Sequence, residues 1–172
     1  MTTASKTRET LALIVTLLLV VLALGGCTSI KYSYDMKSSF SGAKNYAWAP
    51  SETTYGKDPL LESNVQVFSD QLLAQKGYVR VSEKPDLILT MNYEFDSTSY
   101  RDNYDLRMLT LNIYQIRPGV ASPSNVPKMS AQKENSVEMV WRGTAFGTIS
   151  TDAASSDLKK AVDGILSHFP PK

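Results

Sequence analysis

The sequence predicts an α+β fold in which a mostly antiparallel sheet carries two helices on one face, as a two-layer sandwich. Three observations lead to this prediction. Long stretches alternate apolar and polar residues, two segments carry apolar residues at helical spacing, and the order along the chain is strands, helix, strands, helix. These patterns fill residues 31–172, about the usual size of one domain. We therefore expect a single domain there.

The first predicted strands are short. Residues 31–36 alternate as an edge strand does, with the tyrosines on one face. Residues 40–50 predict a turn and then a brief strand that ends at Pro50, because proline cannot donate a hydrogen bond to a neighbouring strand. Trp48 in this strand is predicted to close the edge of the core, and stacking on a ligand is the alternative.

Both predicted helices have start and stop signals. Asp58-Pro59 predicts a start, because Asp caps the first turn and proline's missing N–H costs nothing there, and Gly77 predicts the end. Ser156 predicts the start of the last helix, which Pro170-Pro171 ends. Each helix has one apolar stripe. The first contains Leu61, Val65, Phe68 and Leu72, and the second contains Leu158, Val162, Ile165, Leu166 and Phe169.

The central strands are the longest alternating run. After a short strand at 78–82, residues 87–96 separate apolar from polar side chains, which indicates an antiparallel sheet with one buried and one solvated face. Residues 106–117 alternate in the same way and predict a hairpin with that strand. A last strand follows, with a bulge or bend at Gly143 and Gly147. Its predicted core face contains Val137, Met139, Trp141, Ala145 and Ile149.

Residues 118–135 contain prolines, serines and asparagines without an apolar period, and so predict a loop. At roughly 18 residues it is longer than the usual connection inside a domain. An ordinary surface loop is one interpretation. A partner-binding or lid segment is the other.

The N-terminus predicts an export and lipidation signal. An apolar run of roughly 14 residues follows two basic residues, whereas a membrane-spanning helix needs about 20. The run ends in Leu24-Gly25-Gly26-Cys27, which looks like a bacterial lipoprotein lipobox. We expect a signal peptide over 1–26, acylation of Cys27 and a lipidated tether over 27–30. The alternative is an uncleaved membrane helix that buries Cys27.

Composition limits the partners of the mature chain. Removal of residues 1–26 takes away Lys6, Arg8 and Glu9, so basic and acidic residues balance and nucleic acid is excluded as a partner. Membrane contact is then expected through the diacylglycerol and acyl chain on Cys27. Because this is the only cysteine, we expect neither a disulfide nor a cysteine metal site. We also expect no cofactor other than the lipid on Cys27.

The sequence shows no conventional catalytic signature and no metal motif. The sole histidine, His168, is explained by the dipole at the end of the last helix. Glu94 and Asp96 are about 6.5 to 7 Å apart along a strand, the separation found in inverting glycosidases, although such pairs are common in strands. Asp96, Asp102 and Asp105 could contact calcium, but a solvated hairpin end is the simpler interpretation.

Aromatic residues concentrate around the central hairpin. They could line a groove for a sugar, a lipid or a peptide, since tyrosine combines an apolar ring with a polar tip. They could equally form the core and rim of the sheet. The residues are Tyr93, Phe95, Tyr100, Tyr104 and Tyr114.

Several short elements together resemble DUF4136, a family of small envelope lipoproteins found largely in Gram-negative bacteria. These elements are Phe40 with Tyr46-Ala47-Trp48, Lys76-Gly77-Tyr78, Pro85-Asp86-Leu87, Trp141-Arg142-Gly143-Thr144-Ala145 and Phe169-Pro170-Pro171. The resemblance spans nearly the whole mature chain, departs at the loop 118–135 and brings no catalytic residues. Thr28 rather than Asp follows Cys27, and the resemblance to lipoproteins therefore implies sorting to the outer membrane, on the periplasmic face.

Three functional hypotheses follow. The first is a non-enzymatic, lipid-anchored module that binds an envelope protein or glycan. The second is a carboxylate-dependent hydrolase of envelope glycans, and the third is a structural subunit of an envelope complex.

Overall fold

The computed structural model describes residues 28–53, 56–96, 105–117, 136–152 and 155–171. They form a six-stranded sheet of order β1-β6-β5-β4-β2-β3 with two helices on one face, which confirms the predicted α+β two-layer sandwich. The elements are β1 (Ser29–Tyr34), β2 (Asn45–Trp48), α1 (Pro59–Gln75), β3 (Val79–Arg80), β4 (Leu87–Phe95), β5 (Asp105–Arg117), β6 (Ser136–Ser150) and α2 (Asp157–Ser167).

The sheet is antiparallel from β1 through β6 and β5 to β4, and the predicted hairpin of β4 with β5 is confirmed. On the other side, β2 pairs in parallel with both β3 and β4. The parallel pairing follows from the long crossover through α1, which returns the chain to the end of the sheet where β2 began. This mixed edge is absent from the sequence-based prediction.

The helix signals act largely as predicted. The Asp58 carboxylate accepts hydrogen bonds from the backbone N–H groups of Leu60 and Leu61, at 2.9 and 3.0 Å, and α1 begins at Pro59. All five residues of the predicted α2 stripe are buried. The α1 stripe differs in its second half, because the buried row continues through Ser69 and Leu73. Phe68 and Leu72 pack against the core only partly.

Strand β6 departs from regular alternation. Trp141, Ala145 and Ile149 are buried as predicted, but Val137 and Met139 are exposed. The register explains this correction. Ile113 pairs with Trp141 and Tyr114 with Met139, so Val140 is an extra residue, and such a bulge moves the preceding side chains to the other face. A second register shift contains Gly147, at φ +133°, and confirms the predicted bulge there.

The chain enters the sheet at an edge. The predicted edge strand is confirmed as β1. It begins at Ser29, inside the segment predicted as tether, and pairs with β6 alone.

Among the described helices, neither has the length and apolar character needed to cross a membrane. The lipobox Leu24-Gly25-Gly26-Cys27 and the loop 118–135 lie outside the described residues.

Candidate functional site

Polar side chains meet on the face of the central strands opposite the helices. Thr90 of β4 pairs with Asn112 of β5, and Asn112 pairs with Arg142 of β6. These alternate residues point away from the apolar core, and we call the surface they form the open face. Its buried residues are Thr90, Thr110, Asn112 and Thr144, its partly buried residues are Asn92 and Tyr114, and Arg142 is exposed.

Glu52 places a carboxylate at the centre of the open face. The segment after β2 continues along β4, where the Glu52 backbone N–H donates to the Met91 carbonyl at 2.8 Å. The carboxylate accepts three hydrogen bonds: one from the Thr90 hydroxyl at 2.7 Å, one from the Tyr114 hydroxyl at 2.8 Å and one from the Asn112 amide at 3.0 Å. Three donors from two strands therefore fix the position of this side chain.

Asn112 connects Glu52 to Arg142. Its side chain is buried; the amide nitrogen donates to Glu52, and the amide oxygen accepts from Nε of Arg142 at 2.8 Å. The amide orientation is determined by its neighbours, because a carboxylate only accepts hydrogen bonds and a guanidinium only donates them. The result is a chain of hydrogen bonds from the β2 side of the sheet to β6.

Tyr114 is held in its protonated form in this cluster. Burial raises the pKa of the Tyr114 hydroxyl, and its hydrogen bond to Glu52 raises the pKa further. The hydroxyl therefore stays protonated to a higher pH than that of an ordinary tyrosine, and it remains the hydrogen-bond donor while the Glu52 carboxylate accepts.

The three described arginine side chains differ in their partners. Arg80 forms an ion pair with Asp70 at 2.8 Å, and Arg107 forms one with Glu94. Within the described residues Arg142 has no such carboxylate, and its side chain is exposed. A second cation lies nearby, because Lys31 of β1 pairs with Thr144 and places Nζ 5.4 Å from the centre of the Phe146 ring.

The structure separates the predicted tyrosines. Tyr114 lies on the open face, whereas Tyr93 is buried on the helix face, where its hydroxyl donates to Glu62 at 3.0 Å and accepts from the Asp58 backbone N–H at 2.7 Å. The two residues therefore share no surface. Tyr100 and Tyr104 lie outside the described residues.

Tyr93 is expected to make the free energy of unfolding fall at alkaline pH. Burial, as the largest cause, raises the pKa of its hydroxyl to about 12 from an ordinary value of 10.0. As the pH rises, the unfolded chain therefore loses this proton before the folded chain does. The contribution of Tyr93 to the free energy of unfolding is fully present below pH 10 and is lost as the pH rises towards 12. We expect Tyr93→Phe to flatten this part of the stability curve, measured by urea unfolding at several pH values. Tyr32→Phe, at an exposed tyrosine, is the control, and an unchanged slope in Tyr93→Phe would contradict the assignment.

The predicted acidic residues have local partners. The Glu94 carboxylate is paired with Arg107, and the Asp96 backbone N–H donates to the Asp105 carbonyl at 2.8 Å. A register shift between Glu94 and Phe95 also interrupts the alternation from which the carboxylate separation was inferred. Asp102 lies outside the described residues, within which no three His, Cys, Asp or Glu side chains come together as metal ligands.

Trp48 closes the edge of the core, as predicted, and packs partly against it. Its indole N–H donates to Asp70 of α1 at 2.9 Å, and the Tyr46 hydroxyl donates to the same oxygen at 2.7 Å. Burial and then the bond to Asp70 raise the pKa of Tyr46. These bonds join β2 to α1.

His168 caps the C-terminal end of α2, the position expected from the sequence. Nδ1 lies 3.1 Å from the Gly164 carbonyl oxygen, and the ring stacks on Tyr32 of β1 with centroids 4.3 Å apart. These contacts attach the last helical turn to the edge strand.

A groove of about 550 Å³ lies between the turn after β1 and the C-terminal residues. Its apolar lining includes Tyr34, Met36, Phe40 and Pro170. Its lining contains residues of two elements that carry the family resemblance, Phe40 and the pair Pro170-Pro171.

The comparison with protein families decides the classification. The model of DUF4136, a domain of unknown function, matches residues 30–171. The chain belongs to this family. The predicted resemblance is thereby confirmed for nearly the whole domain, and DUF4136 carries no known function. No curated protein matches the chain.

Solved structures share the DUF4136 fold at low identity. A DUF4136 family protein from Bacteroides thetaiotaomicron is 12% identical, with a TM-score of 0.53 over 83% of this chain and 94% of that one. A PelC dodecamer from Paraburkholderia phytofirmans is 14% identical, with a TM-score of 0.51 over 82% and 96%. A PDZ domain protein from Parabacteroides distasonis is 15% identical, with a TM-score of 0.51 over 84% of this chain and 36% of that one. At these identities the likeness shows the fold alone.

Proposed function

We propose that this DUF4136 protein is a non-enzymatic, lipid-anchored module that binds or assembles with a partner at the periplasmic face of the outer membrane. The observation that supports this most is the position of β1. Only Thr28 separates its first residue, Ser29, from Cys27, and the whole strand is paired with β6. An acylated Cys27 would therefore attach to the edge of a rigid sheet rather than to a long flexible linker.

This geometry determines which part of the domain is close to the bilayer. The span from Cys27 to Ser29 reaches at most about 7 Å. Ser29 therefore lies within that reach of the anchor, and Phe146, its partner in β6, lies about 5 Å beyond it. Two or three acyl chains on Cys27 would make the attachment permanent, whereas one chain gives only marginal binding.

Assembly with further subunits is the second form of this proposal. The PelC structure of similar fold is a dodecamer, so a chain of this shape is compatible with a large homo-oligomer. Strand β1 is the edge to which another chain could add, and its Tyr32 and Tyr34 are exposed. This supports the hypothesis of a structural subunit as a variant of the same anchored module.

Membrane flotation of the full-length chain from a Gram-negative host tests the anchoring. We expect the wild-type protein to float with the outer membrane and Cys27→Ser to leave that fraction, because serine offers no thiol for acylation. Ser29→Ala makes a comparably small change beside the site and is expected to float like the wild type. The proposal fails if Cys27→Ser remains in the outer membrane fraction, or if the wild type is not found there.

A further inference from the structure

We propose that the open face binds an acidic glycan, a polysaccharide whose repeating units carry carboxylates, through the cations Arg142 and Lys31. This inference names the partner class of the module proposed above. It rests on that proposal only for where the glycan would be met.

Arg142 supplies the main observation. Its Nε donates to Asn112 at 2.8 Å, while the two terminal nitrogens, with four N–H groups, have no partner among the described residues. Arg80 and Arg107 in the same sheet both form ion pairs. A planar guanidinium with two parallel N–H groups available matches a carboxylate in the bidentate geometry that gives the strongest charged hydrogen bonds.

The guanidinium is also held in place before a ligand arrives. Asn112 is almost fully buried, at 1% exposure, and is itself fixed by the Glu52 carboxylate. Glu52 keeps its negative charge, because its three hydrogen bonds come from neutral groups, and the two positive charges of Arg142 and Lys31 outnumber it. Because Asn112 restrains Arg142, this side chain loses less conformational entropy on binding than an unrestrained arginine would lose.

A second cation favours a polymer over a single anion. Lys31 pairs with Thr144, and Ser33 pairs with Arg142, so the two cations are diagonal neighbours on adjacent strands. Diagonal neighbours on one sheet face are separated by about 7 to 8 Å. Two separate positive charges suit a ligand that repeats its carboxylates along a chain.

The surroundings favour a sugar as the carrier of those carboxylates. Thr110 and Thr144 are buried and hydrogen-bond to one another at 3.0 Å, so the row they form is the floor of the surface, from which the exposed side chains of Arg142 and Lys31 project. Aromatic rings border this row, Tyr114 on one side and Phe146 beside Lys31 on the other. Rings of this kind can contact the apolar face of a sugar.

Titration calorimetry on the full-length chain in a sugar-free detergent tests this inference, with tetragalacturonate as the probe and maltotetraose as its neutral counterpart. We expect the wild type to bind tetragalacturonate more tightly than maltotetraose, and added salt to weaken the binding. Arg142→Gln should raise the Kd for tetragalacturonate at least about tenfold, the effect of losing a charged hydrogen bond. Arg107→Gln removes the same charge from an arginine that is already paired, and should change the Kd less than about twofold.

Three results would overturn the inference. The first is that the wild type does not bind tetragalacturonate. The second is that Arg142→Gln and Arg107→Gln change the Kd equally. The third is that a tetraglutamate peptide binds as tightly and also depends on Arg142, which would assign the face to a protein partner. If circular dichroism shows that Arg142→Gln does not fold, Lys31→Gln replaces it. Lys31 is exposed, and this change should raise the Kd at least about threefold. An unchanged Kd would contradict the proposal. Since binding is measured in detergent, failure of the lipid anchor would leave these results unaffected.

Discussion

Phe169→Ala is expected to lower the free energy of unfolding by about 3 to 5 kcal/mol, the cost of removing a fully buried aromatic ring. Phe169 is 1% exposed, and its ring centroid lies 5.3 to 5.5 Å from those of Phe40, Tyr78 and Trp141. These three rings belong to separate parts of the fold, the turn after β1, the segment before β3, and β6. They cannot all move together to fill the cavity, so most of the lost contact is not recovered.

Urea unfolding followed by tryptophan fluorescence measures this loss. The matched control is Leu60→Ala, because Leu60 is an apolar residue of α1 that is 71% exposed. We expect the control to change stability by less than about 0.5 kcal/mol. A loss below about 1 kcal/mol for Phe169→Ala would contradict the role of this residue as the centre of the aromatic cluster.

Gly143→Ala is expected to destabilise the protein by about 3 kcal/mol or more, at the upper end of the usual cost of overpacking. A Cβ atom on Gly143 would lie 2.3 Å from Cη2 of Trp141 and 2.7 Å from Cγ2 of Ile165. Trp141 and Ile165 are both buried, and Ile165 is on α2, so relief requires the helix or the indole to move. The glycine of the Trp-Arg-Gly element is therefore explained by the space that the neighbouring indole occupies, and not by the bulge predicted there.

Thermal unfolding compares Gly143→Ala with Gly42→Ala, whose added Cβ would meet no atom within 4 Å. The second variant should keep the wild-type Tm. Trp141→Phe combined with Gly143→Ala should lose less stability than the sum of the single changes, because the smaller ring removes the clash. A wild-type Tm for Gly143→Ala alone would show that the close packing of β6 against α2 is wrong.

Local signals in the sequence were sufficient for much of the fold. The Asp58-Pro59 start of α1, the apolar stripe of α2 and the alternation of β4 and β5 each depend on residues close together in the chain. The clean alternation also determined which face of the hairpin would be buried. These features could be predicted because short-range hydrogen bonds and periodic burial cause them directly.

Features that depend on strand pairing could not be predicted in the same way. The parallel pairing of β2 requires knowledge of where α1 returns the chain, and the bulge at Val140 is a property of the register between β5 and β6. The opposite orientation of Tyr93 and Tyr114, by contrast, follows from the alternation itself, because Tyr93 falls on the apolar face of β4 and Tyr114 on the polar face of β5.

The hydrogen-bond cluster of the open face was missed for a related reason. Glu52 belongs to a segment without periodic pattern, and its partners Thr90, Asn112 and Tyr114 are 38, 60 and 62 residues away in sequence. No local signal identifies such a residue. Arg142 belongs to the Trp-Arg-Gly element, but no local signal indicates that it has no acidic partner among the described residues.

The anchoring of this module at Cys27 is the central claim, and the intact mass of the full-length chain extracted from membranes tests it most directly. We expect a chain that begins at Cys27 and carries the added mass of a diacylglycerol and an acyl chain. A mass that retains residues 1–26 without added lipid would contradict the claim, because the domain would then be attached, if at all, through an uncleaved N-terminal segment.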